Sequence, residues 1–208
     1  VTEPAPAEAG LGGSIAVSVA TLRAGAMAAG AELPDDDLEA RLRALETDMV
    51  GFPNTHAVAA CVRERPVLAF EHFPPLVAEP AFALGAVAAV CPDVTVPRER
   101  WRRAWPQKIH ARRMARNNGL LAEWIARATG ALGADGVERE DGIVERSTAS
   151  LVPGYHPVRR AALDAGATLV GMSGSGPTVA ALCLDLATAM DAARTMTAAF
   201  EAHRIEAA

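Results

Sequence analysis

The residues best suited to chemistry are Gly10-Leu11-Gly12-Gly13-Ser14-Ile15-Ala16, which precede a run of small apolar residues ending at Ala29. Glycines let a backbone approach a ligand closely. The free N–H groups of a helix's first turn point at an anion with the positive end of the dipole behind them. Ser14 adds a hydroxyl at the helix start, placed for a phosphate oxygen or for a metal bound to one. The same residues also describe a tight turn with a serine N-cap, so the segment alone leaves both readings open. A second glycine-rich segment, Ser173-Gly174-Ser175-Gly176-Pro177-Thr178, lies between two apolar runs and opens no helix. It is therefore neither a Walker-type loop nor a dinucleotide fingerprint. Its glycines and hydroxyls suit a backbone wrapped around a ligand, or a plain Gly-Pro hairpin turn.

The elements that position these loops follow from periodicity and breakers. Val1 to Ala9 is an extended lead-in. Ser14 to Gly30 reads as a helix, and with Arg23 as its one charge it is expected to be buried on several sides. Pro34 stops the chain, Asp35-Asp36-Asp37 restart it, and Leu38, Leu42, Leu45 and Met49 line one face of a second helix. Val58 to Val62 is a short apolar run, Arg63 to Arg65 a turn and Pro66 to Phe70 a strand. Ala86 to Val90 is a buried strand with Val94 to Val96 as its extension. Helices are expected over Arg98 to Ala104, Gln107 to Leu132, Glu138 to Ser147 and Pro157 to Ala165. Strands Thr168 to Met172 and Val179 to Leu184 flank the second loop. A last helix, Thr188 to His203, shows Met190, Ala193, Thr197 and Phe200 on one face. This mixed order, without regular βαβ alternation, predicts an α+β fold.

Bulk properties exclude several classes. The chain has 208 residues, half of them hydrophobic and 22% charged, with net charge −5. That is globular composition, and it points to neither nucleic acid nor an anionic membrane as partner. The basic cluster from Arg98 to Arg116, beside Trp101 and Trp105, reads as a solvated helix face. Cys61, Cys91 and Cys183 are scattered in apolar runs, as small buried hydrophobes rather than a disulfide framework or metal set, which favours the reducing cytoplasm. The longest apolar run, Ala81 to Cys91, is too short to span a bilayer, and no signal peptide is recognisable. A chain that opens on Val1 and reaches its first glycine motif within ten residues is expected to be processed or a piece of something longer.

Taken together, the two loops resemble the GHMP small-molecule kinases. Gly10 to Ala16 is similar to that family's central phosphate motif, and Met172 to Val179 to its C-terminal motif in the form typical of homoserine kinases. Cys91-Pro92-Asp93-Val94-Thr95-Val96, the Asn117-Asn118 helix, Asp141-Gly142-Ile143-Val144 and Ser150 to Tyr155 resemble homoserine kinase segments in the same order. The resemblance implies a two-lobe fold: an incomplete N-terminal lobe over residues 1–84, and a C-terminal ferredoxin-like α/β sandwich over residues 85–208. It implies ATP and Mg²⁺ as cofactors, and phosphorylation of the hydroxyl of a small metabolite such as homoserine. Gly10, Leu11, Gly12, Gly13, Ser14, Ile15, Ala16, Gly174, Ser175 and Gly176 would hold the nucleotide. Ser14 and Glu46 would hold the metal as the catalytic pair, although Glu46 on its own reads as a surface residue at a helix end.

By the same resemblance, Asn54, His56, Thr148 and Ser173 would fall at acceptor-binding positions. A small hydroxyl substrate, no nucleic acid, no membrane and a homodimer are the corresponding partner expectations. Departures gather where the acceptor would sit. Gly13 replaces a serine, His56 and Ala57 replace an Asp and an Asn, and Glu64-Arg65 replaces a glycine pair. Thr148 stands where an arginine would meet a substrate carboxylate. Nothing before Gly10 supplies the family's N-terminal strands and Asn-containing motif, so an unpaired sheet edge and an inactive isolated chain are expected. A degenerate, non-catalytic nucleotide-binding protein is the alternative, and a changed reaction such as decarboxylation has no positive sign.

Overall fold

The computed structural model describes residues 9–50, 54–65, 67–70, 76–78, 85–128 and 141–207. The chain divides into two compact units, Gly12–Ala81 and Val1–Leu11 with Phe82–Ala208. It is a mixed α/β architecture with small antiparallel sheets.

In the unit Gly12–Ala81, helices α1 (Gly13–Ala28), α2 (Asp35–Val50) and α3 (Thr55–Arg63) precede a hairpin of β1 (Leu68–Phe70) and β2 (Leu76–Ala78). Ile15 and Val19 of α1, Leu38 and Leu42 of α2, and Val58 and Val62 of α3 form its core. Residues 58–62, read only as an apolar run, are helical because Thr55, Val58, Ala59 and Val62 recur at helical spacing and are buried together. Two expectations fail here. Helix α1 is not buried on several sides: Ile15 and Val19 are its buried residues, while Val17 and Met27 are exposed, since one stripe suffices to meet its neighbours. On α2, Leu38 and Leu42 are buried but Leu45 and Met49 are exposed, because its last turns run past the core. The three helices are also tied by charge. The almost fully buried Glu39 accepts from Arg63 Nε at 2.6 Å and from Arg43 at 3.1 Å, and Arg23 donates to Glu64, Asp35 and the Val62 carbonyl. Pairing of a carboxylate buried this deeply is obligatory.

The other unit contains β3 (Ala86–Val90), α4 (Arg98–Ala104), α5 (Ala111–Ala128), α6 (Val144–Thr148), α7 (Tyr155–Asp164), β4 (Leu169–Met172), β5 (Val179–Cys183) and α8 (Leu186–Ala202). The sheet is antiparallel in the order β3-β5-β4, with Val90 opposite Val179 and Met172 opposite the same residue. Alternation sends Ala88, Val90, Val170, Val179, Ala181 and Cys183 into a core shared with Tyr155 and Val158 of α7 and Met196 and Phe200 of α8. Helices α7 and α8 pack together, and Thr195 Oγ1 donates to the Ala161 carbonyl across them.

Val94 to Val96 do not extend β3. Pro92 bridges Ala207 and Asp93 N–H donates to Glu206, which turns the chain aside. The long helix starts at Ala111 rather than Gln107, and residues 129–132, expected to end it, lie outside the described residues. The next helix starts late, at Val144, because the Asp141 carboxylate accepts from the N–H groups of Ile143, Val144 and Glu145; residues 138–140 are outside the described set. On α8 the buried stripe is Ala189, Ala192, Met196 and Phe200, and Met190 is exposed. The inward face is set by small alanines rather than by the larger methionine.

Candidate functional site: two glycine loops

The N-terminal lead and the hairpin between β4 and β5 are joined within one unit. Ser173 Oγ donates to the Gly10 carbonyl at 3.0 Å, and Thr178 N–H reaches the Ala9 carbonyl at 3.4 Å. Gly10 has φ +77°, and a Cβ there would meet the Ser173 carbonyl oxygen at 2.3 Å and that of Gly176 at 2.8 Å, so no other residue fits. The hairpin loop closes on itself: Ser173 N–H donates to Thr178, Gly176 N–H donates to Ser173, and Gly176–Pro177 is a cis peptide. Met172 packs beneath Gly176. Thus the two glycine segments, far apart in sequence, meet at Gly10.

From Gly10 the chain passes through Leu11 to Gly12, which is left-handed and forms the N-cap of α1. Gly12 brings no capping side chain, no acidic residue occupies the first turn, and a Cβ added to Gly13 would meet nothing within 4 Å. The amides of this turn are open, and Ser14 is exposed among them. A helix start of this kind fits an anion. Cys61 Sγ lies 3.8 Å from where a Gly12 Cβ would stand, and burial pushes its thiol pKa up. Ile15 anchors the turn in the core, whereas Ala16 faces solvent. Glu46, half-buried, stands one turn beyond Leu42 and two beyond Glu39 on α2.

The acceptor candidates differ in what their polar atoms already hold. Asn54, the N-cap of α3, has a buried side-chain oxygen with no hydrogen-bond partner, and His56 is exposed. Thr148 is buried, and its hydroxyl donates back to Val144 at 2.9 Å, with Glu145 at 3.4 Å. Beside it Glu145 accepts from Tyr155 Oη and pairs with Arg159 Nε at 3.4 Å. The hydroxyl of Ser173 is committed to Gly10, while Gly174 and Ser175 form the turn itself. Two participants escaped the sequence reading. Ala9 supplies a carbonyl to the clasp, and the fully buried Thr178 has a hydroxyl with no partner. The Ser-Gly-Ser-Gly-Pro-Thr run pointed to Thr178; nothing in the sequence pointed to Ala9.

The glycine-led start of α1 and the hairpin loop clasped on Gly10 belong to a mixed α/β framework, and comparison with known proteins identifies its class. The family descriptions "GHMP kinases N terminal domain" and "GHMP kinases C terminal" match residues 1–65 and 117–202. The chain belongs to the GHMP kinase family. It is similar to the homoserine kinase of Methanocella arvoryzae, 34% identical over 119 residues that make up 50% of this chain and 37% of that protein. It is also similar to the 4-diphosphocytidyl-2-C-methyl-D-erythritol kinase of Rhizobium johnstonii, 31% identical over 92% of this chain and 57% of that protein. The crystal structure of homoserine kinase from Cytophaga hutchinsonii superposes with a TM-score of 0.84 at 28% identity, covering 100% of this chain and 66% of that one. The chain thus spans well under two thirds of the curated relatives it matches. No helix among the described residues is long and apolar enough to cross a membrane.

Proposed function

We propose that this chain is the phosphate-holding part of an ATP-dependent small-molecule kinase that phosphorylates the hydroxyl of homoserine or a close relative, giving O-phosphohomoserine for threonine biosynthesis. The observation that carries the reading is the clasp of Ser173 and Thr178 on Ala9 and Gly10, which fixes the lead into the open start of α1. Residues 1–84 are read as the remainder of the N-terminal domain and residues 85–208 as the C-terminal domain; the match of the N-terminal family description to residues 1–65 supports this reading. In the reaction an acceptor oxygen forms a bond to the γ-phosphorus as the bond from that phosphorus to the β-bridging oxygen breaks, releasing ADP and the hydroxyl proton. The amides of Gly12, Gly13 and Ser14 would hold the phosphates in line, and orientation with charge neutralisation supplies most of the catalysis. Ser14 and Glu46 would hold Mg²⁺, which when bound neutralises phosphate charge. Two protein ligands suit Mg²⁺, which takes its remaining ligands from phosphates and water. Asn54, whose side-chain oxygen lacks a partner, is the acceptor contact best supported. The free thiols of Cys61, Cys91 and Cys183 are in keeping with a reducing cytoplasm.

The second reading, a nucleotide-binding protein without transfer, is favoured by Thr148, whose hydroxyl is spent on its own helix and offers no cation to a carboxylate. Calorimetry of ATP with and without Mg²⁺, followed by a transfer assay with homoserine and other small hydroxy compounds, separates the two. The assay is run on this chain and on any longer product of its gene. Mg²⁺-dependent binding with turnover supports the kinase, and binding without turnover in either form supports the second reading. Failure to bind ATP at all removes both.

A further inference from the structure

Thr178 closes the hairpin loop, and its backbone is fully engaged there. Its carbonyl accepts from Ser173 N–H at 2.9 Å, and its own N–H donates to the Ala9 carbonyl at 3.4 Å. Its side chain is a different matter. The residue is completely buried, and its hydroxyl has no hydrogen-bond partner among the described residues. A hydroxyl taken out of water without a replacement partner costs free energy, and a methyl group in the same place would not. Packing alone is served better by valine, the residue that follows at 179, where the chain enters the core. A threonine at 178 is explained if its hydroxyl has a partner that the folded chain by itself does not supply.

The clasp around Thr178 is built from backbone. A Cβ on Gly10 would run into the Ser173 and Gly176 carbonyl oxygens, and one on Gly174 would meet the Gly10 carbonyl oxygen at 3.0 Å. The Ser173 hydroxyl is spent on the Gly10 carbonyl. Neither residues 9–14 nor residues 172–179 include a carboxylate. A hydroxyl donor held among glycine backbone, with no acidic residue in either segment, suits an anionic oxygen as its partner. The bond from Thr178 N–H to Ala9 is the longest in the clasp, so it is the one that gives first when the lead moves, and Gly174 in the same loop is exposed. We infer that Thr178 is a further phosphate-binding residue. Its hydroxyl donates to a phosphate oxygen of the seated nucleotide, in exchange for the long bond to Ala9. This rests on the proposed kinase function and adds a side-chain donor to the backbone amides named there. The two hydroxyl residues of the clasp then differ in kind: Ser173 holds the lead, and Thr178 trades a protein partner for the ligand.

Two substitutions separate this role from packing, measured in this chain and in any longer product of its gene. Thr178→Val keeps the shape and removes the hydroxyl. Without ligand, its Tm should equal or exceed that of the wild type. In calorimetry with ATP and Mg²⁺ its dissociation constant should rise about tenfold, the loss of one hydrogen bond to a charged oxygen. Inorganic tripolyphosphate, which offers phosphates alone, should lose affinity by the same factor. Thr178→Ser keeps the hydroxyl and loses the methyl, so its Tm should fall while both ligands bind as they do to the wild type. A packing role would move stability and affinity in the same direction, whereas here they part in both variants. If the serine variant does not fold, the valine variant decides. A valine variant that binds both ligands as tightly as the wild type overturns the inference and leaves the proposed function standing. So does a valine variant whose Tm falls by several degrees, since the hydroxyl would then have a partner within the chain. A loss confined to ATP would set the hydroxyl against another part of the nucleotide, and it overturns the inference too. A wild-type protein that binds neither ligand removes the proposed function, and this inference with it.

Discussion

Helices α1 and α8 begin on opposite terms. Helix α8 opens on Asp185, whose carboxylate accepts from Thr188 N–H at 2.7 Å and satisfies an amide that would otherwise be orphaned. Helix α1 opens on Gly12, left-handed and without a capping side chain, and its first turn holds no acidic residue. Helix α7 also opens on a left-handed glycine, Gly154, without a capping side chain, so an uncapped start is not peculiar to α1. Under the proposed function, the N–H groups at the start of α1, at the positive end of its dipole, are those the phosphates would meet. Two residues before Gly12 in the chain, the hairpin loop braces Gly10 through the Ser173 hydroxyl.

Breaking that brace should have the largest effect. Gly10→Ala places a methyl 2.3 Å from the Ser173 carbonyl oxygen at a positive φ, and it is expected to cost more than about 2 kcal/mol and to abolish ATP binding. Urea denaturation with calorimetry measures both. Gly13→Asp sharpens the comparison by making α1 begin as α8 does. Stability should rise by about 0.5–1 kcal/mol, from lost glycine freedom and a favourable charge at the N-terminus, while ATP affinity falls at least tenfold. Gly13→Ala, which meets nothing within 4 Å, is the control and should keep both the stability gain and most of the affinity. A Gly13→Asp protein that binds ATP normally would show that the open start of α1 is not where the phosphates go.

Ser173→Ala comes next. It removes one hydrogen bond of 3.0 Å, for which about 0.5–1.5 kcal/mol is expected in unfolding. If Ser173 braces the loop, KM for ATP should rise several-fold with kcat nearly unchanged. If it contacts the acceptor instead, KM for the acceptor moves and that for ATP does not.

The sequence made some of this arrangement legible and hid the rest. The bounds of helix α4, Arg98 and Ala104, are legible because Pro97 can start a helix and Pro106 cannot continue one. Strands β3 and β5 were visible as short apolar runs between Gly, Pro and Asp. Helix α3 is hard to see in the sequence because breakers at Gly51 and Pro53 and the turn at Arg63 frame so short a segment that its Thr55, Val58, Ala59 and Val62 spacing carries little weight. The burial of α1 was overestimated because its alanines say nothing about direction; only Ile15 and Val19 show which side faces inward. At the site, composition marked both glycine segments. It did not show that the Ser173 hydroxyl is spent on a carbonyl 163 residues away, or that Thr178 would be buried with its hydroxyl unpaired. Those are tertiary facts, and no local pattern encodes them.

The smallest expected effect lies at the capped helix, and it tests the other half of the comparison. The Asp185 carboxyl is held below its usual range, first by the Thr188 N–H and then by the Thr188 hydroxyl. A carboxyl with a depressed pKa in the folded state stabilises the fold above its unfolded pKa, near 3.8, and loses that contribution as pH falls through the folded value. Because the group is fully exposed, salt should weaken the effect as well. Asp185→Ala should therefore lower Tm by a few degrees near pH 7, and the gap from the wild type should narrow as pH drops below 3.8. Asp185→Asn keeps a capping oxygen without the charge, so its Tm should lie between the two and vary less with pH. ATP affinity should not change in either variant, since Asp185 caps α8 and the proposed phosphate site is at the start of α1. A loss of ATP binding in Asp185→Ala would mean that the two helix starts are coupled, and that a cap on α8 does more than hold one helix.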